Sequence, residues 1–233
     1  MTEWLWLKFD FAQEEARLVA AASGDVALLA DFAANRDVYC LVGEDIYAYP
    51  MTKKSHPQQR FNAKQFFLAH GYGAAWPKLV QFDPQITPDM AKAGVARMDK
   101  RYPDLATYAA KQIIFAREHG YVQTILGRKR WLPEITSRDR KLRESAERQA
   151  VNTPIQGTAA DVLKLTLYRV DDRLAPEAAQ LILTVHDEGD LRVQRGYVNE
   201  ATRIIVSVAQ EVGEMIGVEL PVEISVGATW ADC

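Results

Sequence analysis

The stretch LILTVHDEGDLRV, residues 181–193, places a charged centre between two apolar runs. Apolar residues alternate with other residues around Gly189, and glycine favours the positive φ that short hairpin turns require. The stretch therefore predicts a β-hairpin with its turn at Gly189 and with acids, Asp187 and Glu188 among them, at the tip. Charged residues are common in turns because turns contact water. A metal site is the alternative, and it requires a second carboxylate from elsewhere in the chain.

Asp10 is the candidate for that second carboxylate, because it follows the apolar strand WLWLKF at residues 4–9. If this strand and the hairpin are neighbours in one sheet, Asp10 and Asp187 converge at its edge. Mg²⁺ binds one or two carboxylates together with water and substrate phosphates. Two such ions activate an attacking hydroxyl and stabilise the leaving oxygen of an in-line displacement. The two aspartates thus predict a site for a phosphate ester or anhydride.

The composition is that of a globular chain. Its 233 residues are 48% hydrophobic, which is enough to bury a substantial core. The two cysteines, Cys40 and Cys233, have no His or Cys neighbours at ligand spacing, so neither a disulfide framework nor a zinc site is indicated. No signal peptide or membrane-spanning run is recognisable, so we expect a soluble, cytoplasmic protein without a membrane partner.

Strand-like segments lie near both ends of the chain, and helical segments are grouped between them. Thr87 followed by Pro88 is a good helix start, whereas Pro154 is expected to separate or bend two helical stretches at 139–152 and 155–173. The other predicted elements are helices at 13–22, within 26–49, and at 58–70, 103–119 and 197–216, a hairpin at 121–132 and a strand at 222–226. This order predicts an α+β fold, a sheet with an inserted helical lobe.

Arg60, Lys64, Leu68 and Tyr72 recur every four residues and so follow one helical stripe. The two cations are suited to a triphosphate, and Leu68 and Tyr72 to its sugar and base. The same spacing is also frequent on helices that only face water.

A local excess of positive charge lies between Arg128 and Arg148, where eight Lys or Arg residues accompany four acids, although the chain as a whole carries a net charge of −3. Such a run is commonly a solvated helix face, and the alternative is a patch for phosphates.

Four motifs occur in the order found in family A DNA polymerases: DFAQEEARLVAAASGD at 10–25, RFNAKQFFLAHGYG at 60–73, ERQAVNTPIQGTAAD at 147–161 and VHDE at 185–188. The chain resembles the palm and fingers of the bacterial polymerase I type nearly end to end. The resemblance implies an antiparallel palm sheet at 1–30 and 120–233 and a helical fingers subdomain at 31–119. It also implies that this sequence lacks the thumb and exonuclease domains of the right-hand polymerase fold.

The resemblance implies roles at matching positions. Asp10 and Asp187 would hold two Mg²⁺ ions, for which Mn²⁺ can substitute, with the Phe11 carbonyl as a further ligand and Glu188 as support. Arg60 and Lys64 would bind the triphosphate, and Lys64 would in addition donate a proton to pyrophosphate. Glu15 would act as a steric gate against a ribose 2′-hydroxyl. The implied nucleotide-binding residues are Gln13, Glu15, Tyr39, Arg60, Lys64, Leu68 and Tyr72. The implied DNA-binding residues are Arg17, Gly73, Arg128, Arg148, Asn152, Gln156 and His186.

The implied activity is template-directed DNA synthesis, the transfer of dNMP from a dNTP to a primer 3′-hydroxyl on primer-template DNA, in a bacterial or phage-infected cell. Because the family's thumb is missing, we expect a catalytic subunit of a split or truncated polymerase, with a second protein chain that supplies the thumb or exonuclease. A non-catalytic DNA-binding or assembly subunit is one alternative. A metal-dependent nuclease or phosphatase is another, but it would have no use for the stripe from Arg60 to Tyr72.

Some positions depart from the family pattern. Leu68 stands where an aromatic residue usually packs on the sugar, and Tyr39 stands where a histidine contacts phosphate. Glu14 occupies a usually apolar position, and Ala12 replaces a small polar residue. The departures at Leu68 and Tyr39 predict altered nucleotide handling.

Overall fold

The computed structural model describes residues 3–233, which form two compact units. The sheet unit contains the residues up to Glu14 together with Thr158–Cys233, and the helical unit is Glu15–Gly157. The strands are β1 (Trp4–Phe11), β2 (Tyr121–Gln123), β3 (Lys129–Trp131), β4 (Ala179–Val185), β5 (Glu188–Gln194) and β6 (Val222–Gly227). The α-helices are α1 (Glu14–Ser23), α2 (Val26–Ala33), α3 (Val38–Tyr47), α4 (Pro57–Gly71), α5 (Trp76–Phe82), α6 (Pro88–Arg101), α7 (Pro103–His119), α8 (Arg140–Arg173) and α9 (Val198–Ile216).

The sheet unit is built on four antiparallel strands in the order β4-β5-β1-β6. β1 is a central strand, and its burial alternates residue by residue because successive side chains point to opposite faces. Leu7 and Phe9 are fully buried on one face, whereas Lys8 and Asp10 on the other face are half-buried. The predicted α+β architecture is confirmed, and β1 carries Asp10 into the middle of the sheet.

The predicted hairpin is present as β4 and β5, but the prediction of its turn was wrong. The turn is formed by His186 and Asp187, and His186 has a φ of 58°. Gly189 lies inside β5, opposite Phe9, where an added Cβ would be 2.4 Å from the Phe9 ring. Glycine is needed here because another side chain approaches the backbone closely.

Helix α8 is continuous through Pro154, so the predicted separation into two helices was wrong, whereas the alternative of a bend at Pro154 stays a prediction. Helix α9 buries one apolar stripe, as the 3.6-residue period requires. The buried stripe consists of Ala201, Ile205, Val208, Ala209, Val212 and Ile216. None of the helices from Glu14 onward is long and apolar enough to cross a membrane.

Helices α1 to α7 belong mainly to the helical unit, and short polar side chains start several of them. Asp25 accepts a hydrogen bond from Leu28 N at the start of α2 and another from Asp104 N at the start of α7. Thr87 caps α6 as predicted. Helix α5 was not predicted, because its seven residues are too few to show a period.

The β2–β3 hairpin packs with helices. Val122 and Leu132 share a buried cluster with Ala116 of α7 and Ala146 of α8. This packing places residues 15–30 and 120–157 with the helical unit, whereas the resemblance assigns them to the palm. The palm and fingers boundaries therefore remain a prediction.

Candidate functional site

Acidic side chains gather around Asp10 in the sheet unit. Asp10 is in register with Glu188 of β5 on one side and with Glu223 of β6 on the other. Residues opposite one another on neighbouring strands share a face, so the three side chains project from the same side of the sheet. Asp187 directly precedes Glu188 in the turn and is exposed. The charge of Asp187 therefore acts on Asp10, and their joint role as metal ligands stays a prediction.

The environment of Asp10 is suited to a cation. Its pKa is raised by burial first, then by the negative charges of Asp187 and Glu188. Its Oδ1 is buried and accepts no hydrogen bond from any residue between 3 and 233. A carboxylate oxygen without a donor, beside like charges, can be satisfied by a bound metal ion. Lys8 lies 3.4 Å from Glu188 and offsets part of the charge.

No group of three or more His, Cys, Asp or Glu residues with metal-binding geometry occurs in the described part of the chain. Mg²⁺ usually binds one or two carboxylates and keeps water and substrate phosphates as its other ligands. Phe11, whose carbonyl is the predicted extra ligand, is the last residue of β1, and its side chain is buried against Phe9. Asp10, Phe11 and Asp187 are compatible with the ion, and Glu188 lies next to them.

A hydrogen-bonded triad joins three of the predicted residues in the helical unit. The Tyr72 hydroxyl donates to Glu15 Oε1 at 2.5 Å, and Gln156 Nε2 donates to the same oxygen at 2.7 Å. Gln156 Nε2 also lies 2.9 Å from the Tyr72 hydroxyl. Burial, followed by the hydrogen bond to Glu15, raises the pKa of Tyr72, so Tyr72 stays protonated and continues to donate. The triad fixes the Glu15 carboxylate in one orientation.

The predicted stripe lies on α4 and its C-cap. Arg60, Lys64, Leu68 and Tyr72 are all half-buried, so each is partly accessible. Arg60 Nε donates to Asp37 Oδ2 at 2.7 Å. Lys64 makes no ion pair with the described residues.

Tyr39 was predicted to contact the nucleotide, but only 2% of it is exposed. Its ring packs edge-on against Phe67, and Arg60 and Lys64 lie over it at 5.1 and 5.8 Å from the ring centroid. Burial raises the pKa of its hydroxyl, with a further contribution from Glu15. The structure therefore does not support a direct contact from Tyr39, because the residue lies beneath the two cations.

Arg148, Asn152 and Gln156 are exposed and follow one another at intervals of four residues on α8. A cavity of about 480 Å³ lies beside the first two of them. Its lining consists of Tyr72, Arg130, Ser145, Arg148, Gln149, Asn152 and Thr153. Arg130 Nη2 donates a hydrogen bond to Gln149 Oε1 at 2.7 Å. Arg130 was not among the predicted DNA-binding residues, and the only signal for it in the sequence was the basic run between Arg128 and Arg148.

The other predicted DNA-binding residues differ in accessibility. Arg17 was expected to contact DNA, but it is only 4% exposed, and its guanidinium lies 4.7 Å from the centre of the Phe32 ring. Arg128 is exposed, but its Nη2 donates to Gly157 O of α8 at 2.9 Å. Gly73 and His186 are exposed and have positive φ.

Gln13 also has a positive φ, of 57°, and is half-buried. Its Oε1 is buried and has no hydrogen-bond partner among residues 3–233. Asp37 and Glu223 are additional polar residues near the predicted ones. Sequence reasoning missed both, because their positions depend on helix packing and on strand register.

Comparison with known proteins gives one consistent result. A sequence model of DNA polymerase family A matches residues 1–232. Thermostable DNA polymerase I of Thermus aquaticus is 33% identical over 230 residues, which are 97% of this chain and 27% of that protein. DNA polymerase I of Mycobacterium tuberculosis is 33% identical over 221 residues, 94% of this chain and 24% of that protein.

A solved structure is also similar. It is the POL domain of Pol1 from M. smegmatis in complex with DNA primer-template and dNTP, with a TM-score of 0.85 and 30% identity. The match covers 98% of this chain and 40% of the other. The chain thus spans about a quarter of the length of the curated relatives that it matches.

Proposed function

Because the chain belongs to DNA polymerase family A, we propose that it catalyses template-directed DNA synthesis, the transfer of dNMP from a dNTP to a primer 3′-hydroxyl. The single observation that supports this most strongly is the acidic group of the sheet unit. Asp10 has a buried oxygen that accepts no hydrogen bond from residues 3–233, and it lies in register with Glu188 and close to the charge of Asp187.

Asp10, Asp187 and the Phe11 carbonyl are proposed to hold two Mg²⁺ ions, or Mn²⁺ in their place. When bound, these ions supply activation of the 3′-hydroxyl and stabilisation of the departing pyrophosphate. Asp10 is half-buried, and its partial removal from water strengthens its attraction for a cation. Glu188, held by Lys8, adds negative charge beside the ligands.

The nucleotide is proposed to bind through the α4 stripe. Arg60 and Lys64 would neutralise the triphosphate, and Lys64 would donate a proton to pyrophosphate as it leaves. Leu68 and Tyr72 would border the sugar and the base. Glu15, oriented by Tyr72 and Gln156, would exclude a 2′-hydroxyl, and Gln13 would lie near the same sugar.

Primer-template DNA is proposed to contact the exposed row of Arg148, Asn152 and Gln156, together with Gly73 and His186. Arg130 joins this set because it lines the same cavity as Arg148. These contacts would read the shape of the minor groove, and base pairing would determine which nucleotide is incorporated. The proposed location is the cytoplasm of a bacterial or phage-infected cell.

Primer extension with Mg²⁺ and all four dNTPs tests the proposal. The wild type is expected to extend the primer, and Asp187→Ala is expected to lower the rate at least about 10³-fold, because a proposed metal ligand is lost. Asp171→Ala, which removes an exposed carboxylate from α8, is the matched control and should retain the wild-type rate. Primer-template binding by the wild type without any incorporation would contradict the proposal and indicate a DNA-binding or assembly subunit.

A second chain that supplies a thumb or an exonuclease remains a prediction. Size-exclusion chromatography combined with the extension assay would test it. Processive synthesis by the monomeric chain would show that no second chain is needed.

A further inference from the structure

We infer that Tyr39 is a positioning residue, whose ring holds Arg60 and Lys64 in place from below so that both cations are presented to a polyphosphate. The inference extends the proposed function, on which its link to catalysis rests. It assigns a role to a residue that departs from the family pattern and that is buried instead of facing a ligand.

The geometry places one ring beneath two cations. The Arg60 guanidinium lies 5.1 Å and the Lys64 ammonium 5.8 Å from the centroid of the Tyr39 ring. Both distances fall within the range in which the negative face of an aromatic ring attracts a cation. Arg60 and Lys64 are four residues apart on α4, so one ring can serve both.

The Tyr39 ring is buried and packs against α4. Tyr39 is 2% exposed, and Phe67 packs edge-on against it with centroids 6.0 Å apart. The residue lies in the first turn of α3, which Asp37 caps by accepting a hydrogen bond from Cys40 N. A cation in contact with this ring therefore packs against a side chain that is itself fixed by its neighbours.

The two cations differ in how much of their charge is offset by neighbouring groups. Arg60 donates through Nε to Asp37 Oδ2 at 2.7 Å, so this carboxylate offsets part of the Arg60 charge. Lys64 makes no ion pair with any residue from Glu3 onward, and its ammonium lies over the Tyr39 ring. A neutral ring orients a cation without cancelling its charge. Two cations oriented in advance lose less side-chain entropy when they bind a chain of phosphates.

Titration calorimetry with inorganic tripolyphosphate tests this inference without requiring catalysis. Tyr39→Leu removes the ring and is expected to weaken binding about fivefold, about 1 kcal/mol. Tyr39→Phe keeps the ring and should restore affinity to within about twofold of the wild type. In primer extension, the same order is expected in KM for dNTP, with smaller changes in kcat.

Phe66→Leu is the matched control, because Phe66 is a fully buried aromatic residue on the same helix that packs against His70. It should leave tripolyphosphate affinity unchanged. Equal losses in Phe66→Leu and Tyr39→Leu, a loss in Tyr39→Phe as large as in Tyr39→Leu, or no tripolyphosphate binding by the wild type would overturn the inference. If the binding order is as expected but the wild type incorporates no nucleotide, the inference stands and the proposed polymerase activity fails.

Discussion

Tyr72 donates a 2.5 Å hydrogen bond to Glu15, and the two residues are 57 positions apart in the chain. The bond joins the first turn of α1 to the residue that caps α4. Because Gln156 of α8 donates to the same oxygen, three helices fix one carboxylate. Residues from three of the four sequence motifs therefore meet at a single atom, Glu15 Oε1. The orientation of Glu15 is the property on which sugar selection would depend.

Glu15→Ala is expected to weaken discrimination against ribonucleotides. Removal of the carboxylate opens space for a 2′-hydroxyl, so the ratio of kcat/KM for rNTP to that for dNTP should rise at least about tenfold. Single-nucleotide incorporation with matched dNTP and rNTP measures this ratio. Glu118→Ala, at an exposed position near the end of α7, should leave it unchanged. A ratio that does not move in Glu15→Ala would remove the steric role of this residue.

Leu68→Phe is expected to change the handling of the sugar. Leu68 is half-buried on the stripe, and an aromatic side chain there offers a larger flat surface to a deoxyribose. We expect kcat/KM for dNTP to rise about fivefold, which corresponds to the burial of one or two additional methylene equivalents. Steady-state incorporation of dNTP and dideoxynucleotide by both proteins is the measurement. Equal kinetics with both substrates would show that position 68 does not contact the sugar.

Asp83 is predicted to stabilise the helical unit in a pH-dependent way. Burial alone would raise the pKa of Asp83, but hydrogen bonds from Tyr47, Gln85 N and Asn62 lower it below its usual value of 3.8. A lowered folded-state pKa gives stability that is present above the unfolded value and lost as the pH falls through the folded value. Asp83→Asn should therefore cost about 1–3 kcal/mol at pH 7 and progressively less below pH 4.

Urea unfolding of the wild type and Asp83→Asn between pH 7 and pH 3 measures that difference. Asp171→Asn is the control, since Asp171 is exposed and lies on another helix. A destabilisation by Asp83→Asn of equal size at both pH values would show that the charge of Asp83 contributes nothing.

Local sequence patterns predicted most helices and strands of this fold. The errors lie where contacts between residues distant in the sequence determine the local structure. Alternation in 181–193 predicted the hairpin, but the turn was misplaced because the reason for Gly189 is the approach of Phe9, 180 residues earlier in the chain. Pro154 was expected to interrupt or bend the helical stretch, and α8 is not interrupted there. A local signal for a break can be outweighed by the packing on both sides of it.

In the candidate site, too, the sequence predicted some residues, and others depend on contacts between distant segments. Asp10 and Asp187 could be paired from the sequence because each follows an apolar, strand-like segment. Glu223 could not be found, since its place beside Asp10 follows from the register of β1 with β6. The burial of Tyr39 and Arg17 was also missed, because a motif gives the position of a side chain in the chain but not what covers it.

Gly189→Ala is expected to destabilise the sheet unit. An added Cβ would lie 2.4 Å from Phe9 Cε1 and 2.9 Å from Leu167 Cδ2, both of which are too close. Phe9 is fully buried in the central strand and cannot move away, so overpacking should cost about 1–3 kcal/mol of unfolding free energy. Gly196→Ala is the control, because a Cβ there meets no atom within 4 Å. Urea denaturation of both variants gives the values, and equal midpoints would mean that β5 can shift to accept a side chain at this position.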